Sequence, residues 1–177
     1  SDTKSCDSTR CKIPANTFMN DTLKNDYFYQ TAIDKQNNIW IVYSSDKNGN
    51  NDIFLRKYKG EKLNEEYQIT RSTSDDYSPG LAITSNQKIW IVWNSNRDGN
   101  YNIYSKTYTD GKFSETIKIT EAFDDAFHPS IIADNNNNLH LTYYKWDTIF
   151  MGQRSYSRDR DIFYKKLDSE NWSEELR

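Results

Sequence analysis

The sequence predicts an all-β chain of β-propeller blades, each a sheet of four short antiparallel strands, with about three blades present. The first observation is a repeat. Ile39-Trp40-Ile41-Val42-Tyr43 returns as Ile89-Trp90-Ile91-Val92-Trp93 and again as Leu139-His140-Leu141-Thr142-Tyr143, each copy 50 residues after the last. The second is that each unit divides into short strand-forming runs between Asn-, Asp- and Gly-rich turns, with no helical period anywhere. The third is composition: aromatics make up 15% of the 177 residues while mean hydropathy is −0.99, as half-buried aromatic strands joined by many polar turns require. A unit of about 40–50 residues holding four strands is the signature of a propeller blade.

The elements follow in order within each copy. A first strand carries Gln30-Thr31-Ala32-Ile33-Asp34, matched by Gly80-Leu81-Ala82-Ile83-Thr84 and Ser130-Ile131-Ile132-Ala133-Asp134. Pro79 and Pro129 hold one place before it, where the first copy has Tyr29. A polar turn such as Asn135-Asn136-Asn137-Asn138 leads to the aromatic strand around Trp40, Trp90 or His140. That strand is apolar on both faces, which suits a sheet sandwiched between two others. The hairpins at residues 46–50 and 96–100 carry Asn and Gly, which tolerate the positive φ of tight turns. Third strands are expected at 53–58, 103–108 and 162–167, the last nine residues later than the period predicts, and fourth strands at 67–70 and 117–120. Residues 171–177 stop where the third unit's own fourth strand would begin, and residues 16–21 read as a fourth strand that could close a ring. The expected layout is an N-terminal segment, residues 1–15, and then blades near 26–70, 76–120 and 126–177.

Propellers carry about four to eight blades, so three need company. The missing blades are expected from a second copy or from the rest of a longer chain. A formal charge of −3 gives no electrostatic footprint for nucleic acid, and no apolar run reaches the roughly 18 residues that span a bilayer. The two cysteines, Cys6 and Cys11, are spaced for a small disulfide loop, which together with a thiol-free remainder suits a secreted, periplasmic or cell-surface protein. Their spacing departs from the Cys-x-x-Cys-His of haem attachment, and no zinc ligands stand near them.

Ser95-Asn96-Arg97-Asp98-Gly99-Asn100 with Asn102-Ile103-Tyr104, followed by Asp110-Gly111 and Ile119-Thr120, resembles the TolB-like propeller repeat across roughly residues 26–170. That resemblance implies the fold, and it implies roles ranging from protein-binding scaffold to accessory domain of a peptidase. A sialidase-type propeller is the weaker match: Ser44 and Asp46 begin an Asp-box, but Gly49 comes one residue late.

Candidate functional residues fall into three groups. The third unit's insertion, with Trp146, Phe150, Arg154, Tyr156 and Arg158, breaks the repeat and has the aromatic-plus-Arg make-up of a binding surface. Asp76 and Asp125 precede first strands, where they could line the mouth of a central channel; Asx turns entering a strand explain them as well. Asp46, Asn48, Asp52, Asn96 and Asp98 surround glycines as calcium ligands do, though Lys57 stands where an EF-hand needs Glu. A hairpin turn explains the same residues. No other cofactor is indicated. The functional expectation is a non-catalytic extracytoplasmic module that binds a protein or glycan through its loops, leaning away from an enzyme. Two alternatives stand beside it: part of a propeller glycoside hydrolase or polysaccharide lyase, and a structural protein that self-assembles by strand exchange.

Overall fold

A computed structural model describes residues 25–121, 125–151, 154–168 and 171–177. Cys6, Cys11 and the expected closing strand at 16–21 lie outside the described residues. All the described elements are strands, and they form three antiparallel sheets. The first orders β1 (Asp26–Ile33), β2 (Asn38–Ser45), β3 (Asp52–Lys59) and β4 (Lys62–Gln68). The second orders β5 (Asp76–Ile83), β6 (Ile89–Asp98) and β7 (Asn100–Thr109), then β8 (Lys112–Phe113) and β9 (Ile117–Lys118), which both pair with β7. The third orders β10 (Ala126–Ala133), β11 (Leu139–Met151), β12 (Arg154–Asp168) and β13 (Asn171–Trp172).

The registers repeat as the sequence does. Trp40 lies between Ala32 and Lys57, Trp90 between Ala82 and Thr107, and His140 between Ile132 and Lys166. The fastening of the fourth strand repeats too. Thr70 Oγ1 accepts from Ile53 N and donates to Asp52 Oδ1, both at 2.9 Å. Thr120 does the same with Ile103 N and Asn102 Oδ1, again at 2.9 Å. One difference from expectation is that the third sheet has a fourth strand of its own. Asn171–Trp172 pairs with β12, and Leu176 bridges to Tyr164. Strand exchange is therefore not needed to fill that place.

Two cores lie between successive sheets. Trp40, Val42, Ile53 and Leu55 of the first sheet meet Ile89, Ile91, Trp93 and Tyr104 of the second. Ala82, Val92 and Ile103 on the second sheet's other face meet Leu139, Leu141 and Tyr143 of the third. A strand buried on both faces cannot alternate polar and apolar residues, which accounts for the continuous apolar runs. Among the described residues the end sheets each lack one neighbour. Ile162 is 71% exposed, whereas Ile53 and Ile103 at the same place in the other sheets are fully buried. The first strands sit together on one side, with β5 against both β1 and β10.

Candidate functional site

The first strand of every sheet breaks register at the same place. The pairing shifts between Tyr27 and Tyr29, between Tyr77 and Gly80, and between Phe127 and Ser130. Inside each break one residue takes a left-handed backbone: Phe28 at φ 41°, Ser78 at 49° and His128 at 49°. A bulge of this kind re-aims a side chain out of the ladder. Holding a non-glycine residue there costs about 1–3 kcal/mol. Pro79 and Pro129 come next in the chain, where a bulge spares them a ladder hydrogen bond they cannot donate. Because β1, β5 and β10 lie side by side, the three breaks converge. With Tyr29, Gln30 and Ser130 they line a cleft of about 190 Å³.

His128 is the imidazole of that lining. Its ring sits edge-on to Phe28 and stacks on Tyr144, with centroids 5.5 Å away in each case. Burial, and then the Arg160 charge, hold its pKa below the ordinary 6.5, so the imidazole is neutral at neutral pH. Among the described residues its ring nitrogens have no hydrogen-bond partner, while its backbone N–H donates to Asn94 Oδ1 at 3.4 Å. Aromatic rings continue outward from it. Tyr144 meets Phe127 at 5.7 Å and Trp146 at 6.0 Å, and the Arg160 guanidinium lies 4.4 Å over the Trp146 ring and 5.4 Å over that of Tyr144.

Of the insertion residues expected to bind a partner, Trp146 belongs to this cluster. Phe150, Arg154, Tyr156 and Arg158 lie on the long β11–β12 hairpin, with their side chains outside the described residues. Asp76 and Asp125 have structural partners instead. Asp76 is fully buried and accepts two hydrogen bonds from Arg97 Nη2, at 2.9 and 3.1 Å. Asp125 Oδ1 accepts from Tyr101 N at 2.8 Å, as Asp75 Oδ1 accepts from Asn51 N at 2.9 Å. These two carboxylates tie one sheet's hairpin to the start of the next sheet. Asp125 is thus the counterpart of Asp75, and Ala126 stands where Asp76 does.

The oxygens read as calcium ligands serve the hairpins. Asp46 Oδ1 accepts from Asn25 N at 3.0 Å, and Asp52 accepts from Thr70 and Gln68. Asp98 accepts from Tyr104 Oη at 2.7 Å and pairs with Lys118. The backbone carbonyls of Asp46 and Asn96 accept from Gly49 and Gly99, with Asn48 in the turn between. Among the described residues no three His, Cys, Asp or Glu gather to hold a metal. His140 is likewise engaged, by Tyr164 Oη at 2.8 Å and Asp134 Oδ2 at 3.3 Å.

No protein-family model matches the chain, and no curated protein does. Solved structures do match. A polysaccharide lyase of family PL25, an ulvan lyase bound to -[GlcA(1-4)Rha3S]-, aligns at 10% identity and a TM-score of 0.61, covering 82% of this chain and 42% of that one. A protein of unknown function from Dyadobacter fermentans DSM 18053 aligns at 11% identity and 0.62, covering 85% and 54%. A thermostable family-43 glycoside hydrolase aligns at 15% identity and 0.53, covering 84% and 57%. The chain spans about half the length of these proteins.

The comparisons correct two expectations. The non-catalytic scaffold, and with it the leaning away from an enzyme, gives way because the same arrangement of sheets is found in a polysaccharide lyase and a glycoside hydrolase. The site residues that sequence reasoning passed over are the trio 28, 78 and 128 together with Tyr144 and Arg160; the signal was a position kept one place before Pro79 and Pro129. At these identities the likeness is one of fold: an all-β chain of repeated antiparallel sheets that resembles carbohydrate-active propellers and is not specifically TolB-like.

Proposed function

We propose that this chain is part of a polysaccharide-cleaving propeller enzyme whose reaction centre is the inner-strand cleft, with His128 as the group that moves a proton. One observation carries the reading: the same strained position in three successive sheets converges on one cleft, and there one sheet supplies a neutral imidazole whose ring nitrogens have no partner among the described residues. Strained backbone positions cluster at functional sites. A neutral His can accept a proton near neutral pH. The carboxylates expected to do that work, Asp76 and Asp125, are occupied elsewhere, and the cleft's lining holds no carboxylate pair of the kind hydrolysis uses. Exposed aromatic faces at Phe28 and Tyr29, 49% and 70% accessible, offer stacking surface to sugar rings.

The open outer faces of the first and third sheets are read as seats for further blades, from a second copy or from the rest of a longer chain. A place outside the cytoplasm, with Cys6 and Cys11 joined, belongs to the same proposal. The test is to incubate the protein with a panel of acidic and neutral polysaccharides and follow polymer size by gel filtration. At least one polymer should shorten, and His128→Asn should slow this by about a hundredfold or more while leaving the circular dichroism spectrum unchanged. A panel left intact, or a variant as fast as the parent, overturns the reading.

A further inference from the structure

We infer that the polymer is acidic, and that Arg160, mounted on Trp146 and Tyr144, binds its carboxylate or sulfate groups beside the cleft. This rests on the reading of the cleft as the place where a polysaccharide is cut.

Arg160 and Trp146 are cross-strand partners in the β11–β12 pairing, so the guanidinium and the indole belong to one surface of the hairpin base. The cation lies 4.4 Å over the indole and 5.4 Å over the Tyr144 ring, which also stacks on His128. Stacking fixes the plane of a guanidinium and leaves its N–H edge free, the edge that grips a carboxylate or sulfate with two parallel hydrogen bonds. Arg160 is exposed and, among the described residues, has no ion-pair partner. Other cations of the fold are spent on structure: Arg97 on Asp76, Arg56 and Lys47 on Glu66, Lys145 on Glu175. The repeat does not require an arginine here, since Asn51, just before β3, and Tyr101 in β7 stand at the matching place.

One anionic group on a sugar chain can therefore sit on Arg160 while a neighbouring ring reaches His128 across the Tyr144 face. A neutral polymer would leave the cation unanswered. The net charge of −3 makes a general polyanion trap a poor account, because attraction is confined to this site.

The experiment is affinity electrophoresis of the full chain in native gels cast with polygalacturonate, dextran sulfate or neutral dextran. Either acidic polymer should retard the protein and dextran should not; which of the two acts tells carboxylate from sulfate. Arg160→Gln should weaken retardation by about tenfold or more, and Arg160→Lys should recover part of it. Equal retardation in dextran, or an Arg160→Gln protein that folds normally by urea unfolding and binds undiminished, overturns the inference. Should a neutral polymer be cut in a way that needs His128 but not Arg160, this inference fails and the cleavage reading stands. Should acidic polymers bind through Arg160 and none be cut, the reverse holds.

Discussion

At the scale of single residues, strand geometry decides which member of an acidic doublet does what. Neighbours in a strand point to opposite faces. Asp76 therefore turns inward to Arg97, and Asp75 turns to the hairpin of the preceding sheet. That carboxylates recur before each first strand was legible in the sequence. Which of the pair is buried depends on the bulge that follows, and no composition rule marks a bulge. Removing Asp76 leaves the partly exposed Arg97 without its buried acceptor, so Asp76→Ala should destabilise the fold by about 1–3 kcal/mol in urea unfolding. Ser78 tests the strain directly. Ser78→Gly should stabilise by about 1 kcal/mol, because glycine adopts positive φ without the penalty. Glu66 gives the pH dependence. Burial works to raise its pKa, but hydrogen bonds from Lys47, Arg56 and Tyr43 prevail and pull it from 4.5 to about 2. Folding stability from this group is thus whole above pH 4.5 and drains away as pH falls toward 2, which urea midpoints across that range would show.

At the scale of elements, the repeat made nearly every strand readable, since turn residues recur at one spacing and the apolar runs between them match. The long hairpin was readable as a break in that spacing. Its reach was not, because an insertion of unknown pairing can be loop or strand; β11 and β12 extend to Met151 and back from Arg154. The third sheet's own fourth strand was also missed, being two residues long and held by backbone pairing that leaves little pattern. Close approach of elements is tested at Gly80. A Cβ there would meet Val92 Cγ2 at 2.8 Å and the Pro129 carbonyl at 3.1 Å. Gly80→Ala should therefore push β5 from β10 and cost about 1–3 kcal/mol, read as a lower thermal midpoint.

At the scale of the whole molecule, the sheets share one plan, and among the described residues the stack is open at both ends. Ile33 and Ile39 on the first sheet and Ile132 and Ile162 on the third are exposed, although the middle sheet buries the matching Ile89, Ala82 and Ile103 and half-buries Ile83. Two copies would bring six blades, within the usual range for a closed ring. The chain alone is expected to associate in light scattering, and Ile162→Glu to reduce it to monomer; a parent monomeric at all concentrations would show that these faces await blades from elsewhere. What the molecule does was the least legible part, because the cleft is assembled from three residues 50 positions apart, of three different types, that share only a backbone conformation.

The most direct measurement is the release of new chain ends from polygalacturonate by the parent and by His128→Asn, followed from pH 8 down to pH 5. The account predicts cleavage by the parent that holds at neutral pH and fades only on acidification beyond the ordinary histidine range, because burial and the Arg160 charge hold the imidazole's pKa down, with little or none from the variant. Cleavage that survives the substitution, or a parent inert toward this and every other polysaccharide, would contradict it.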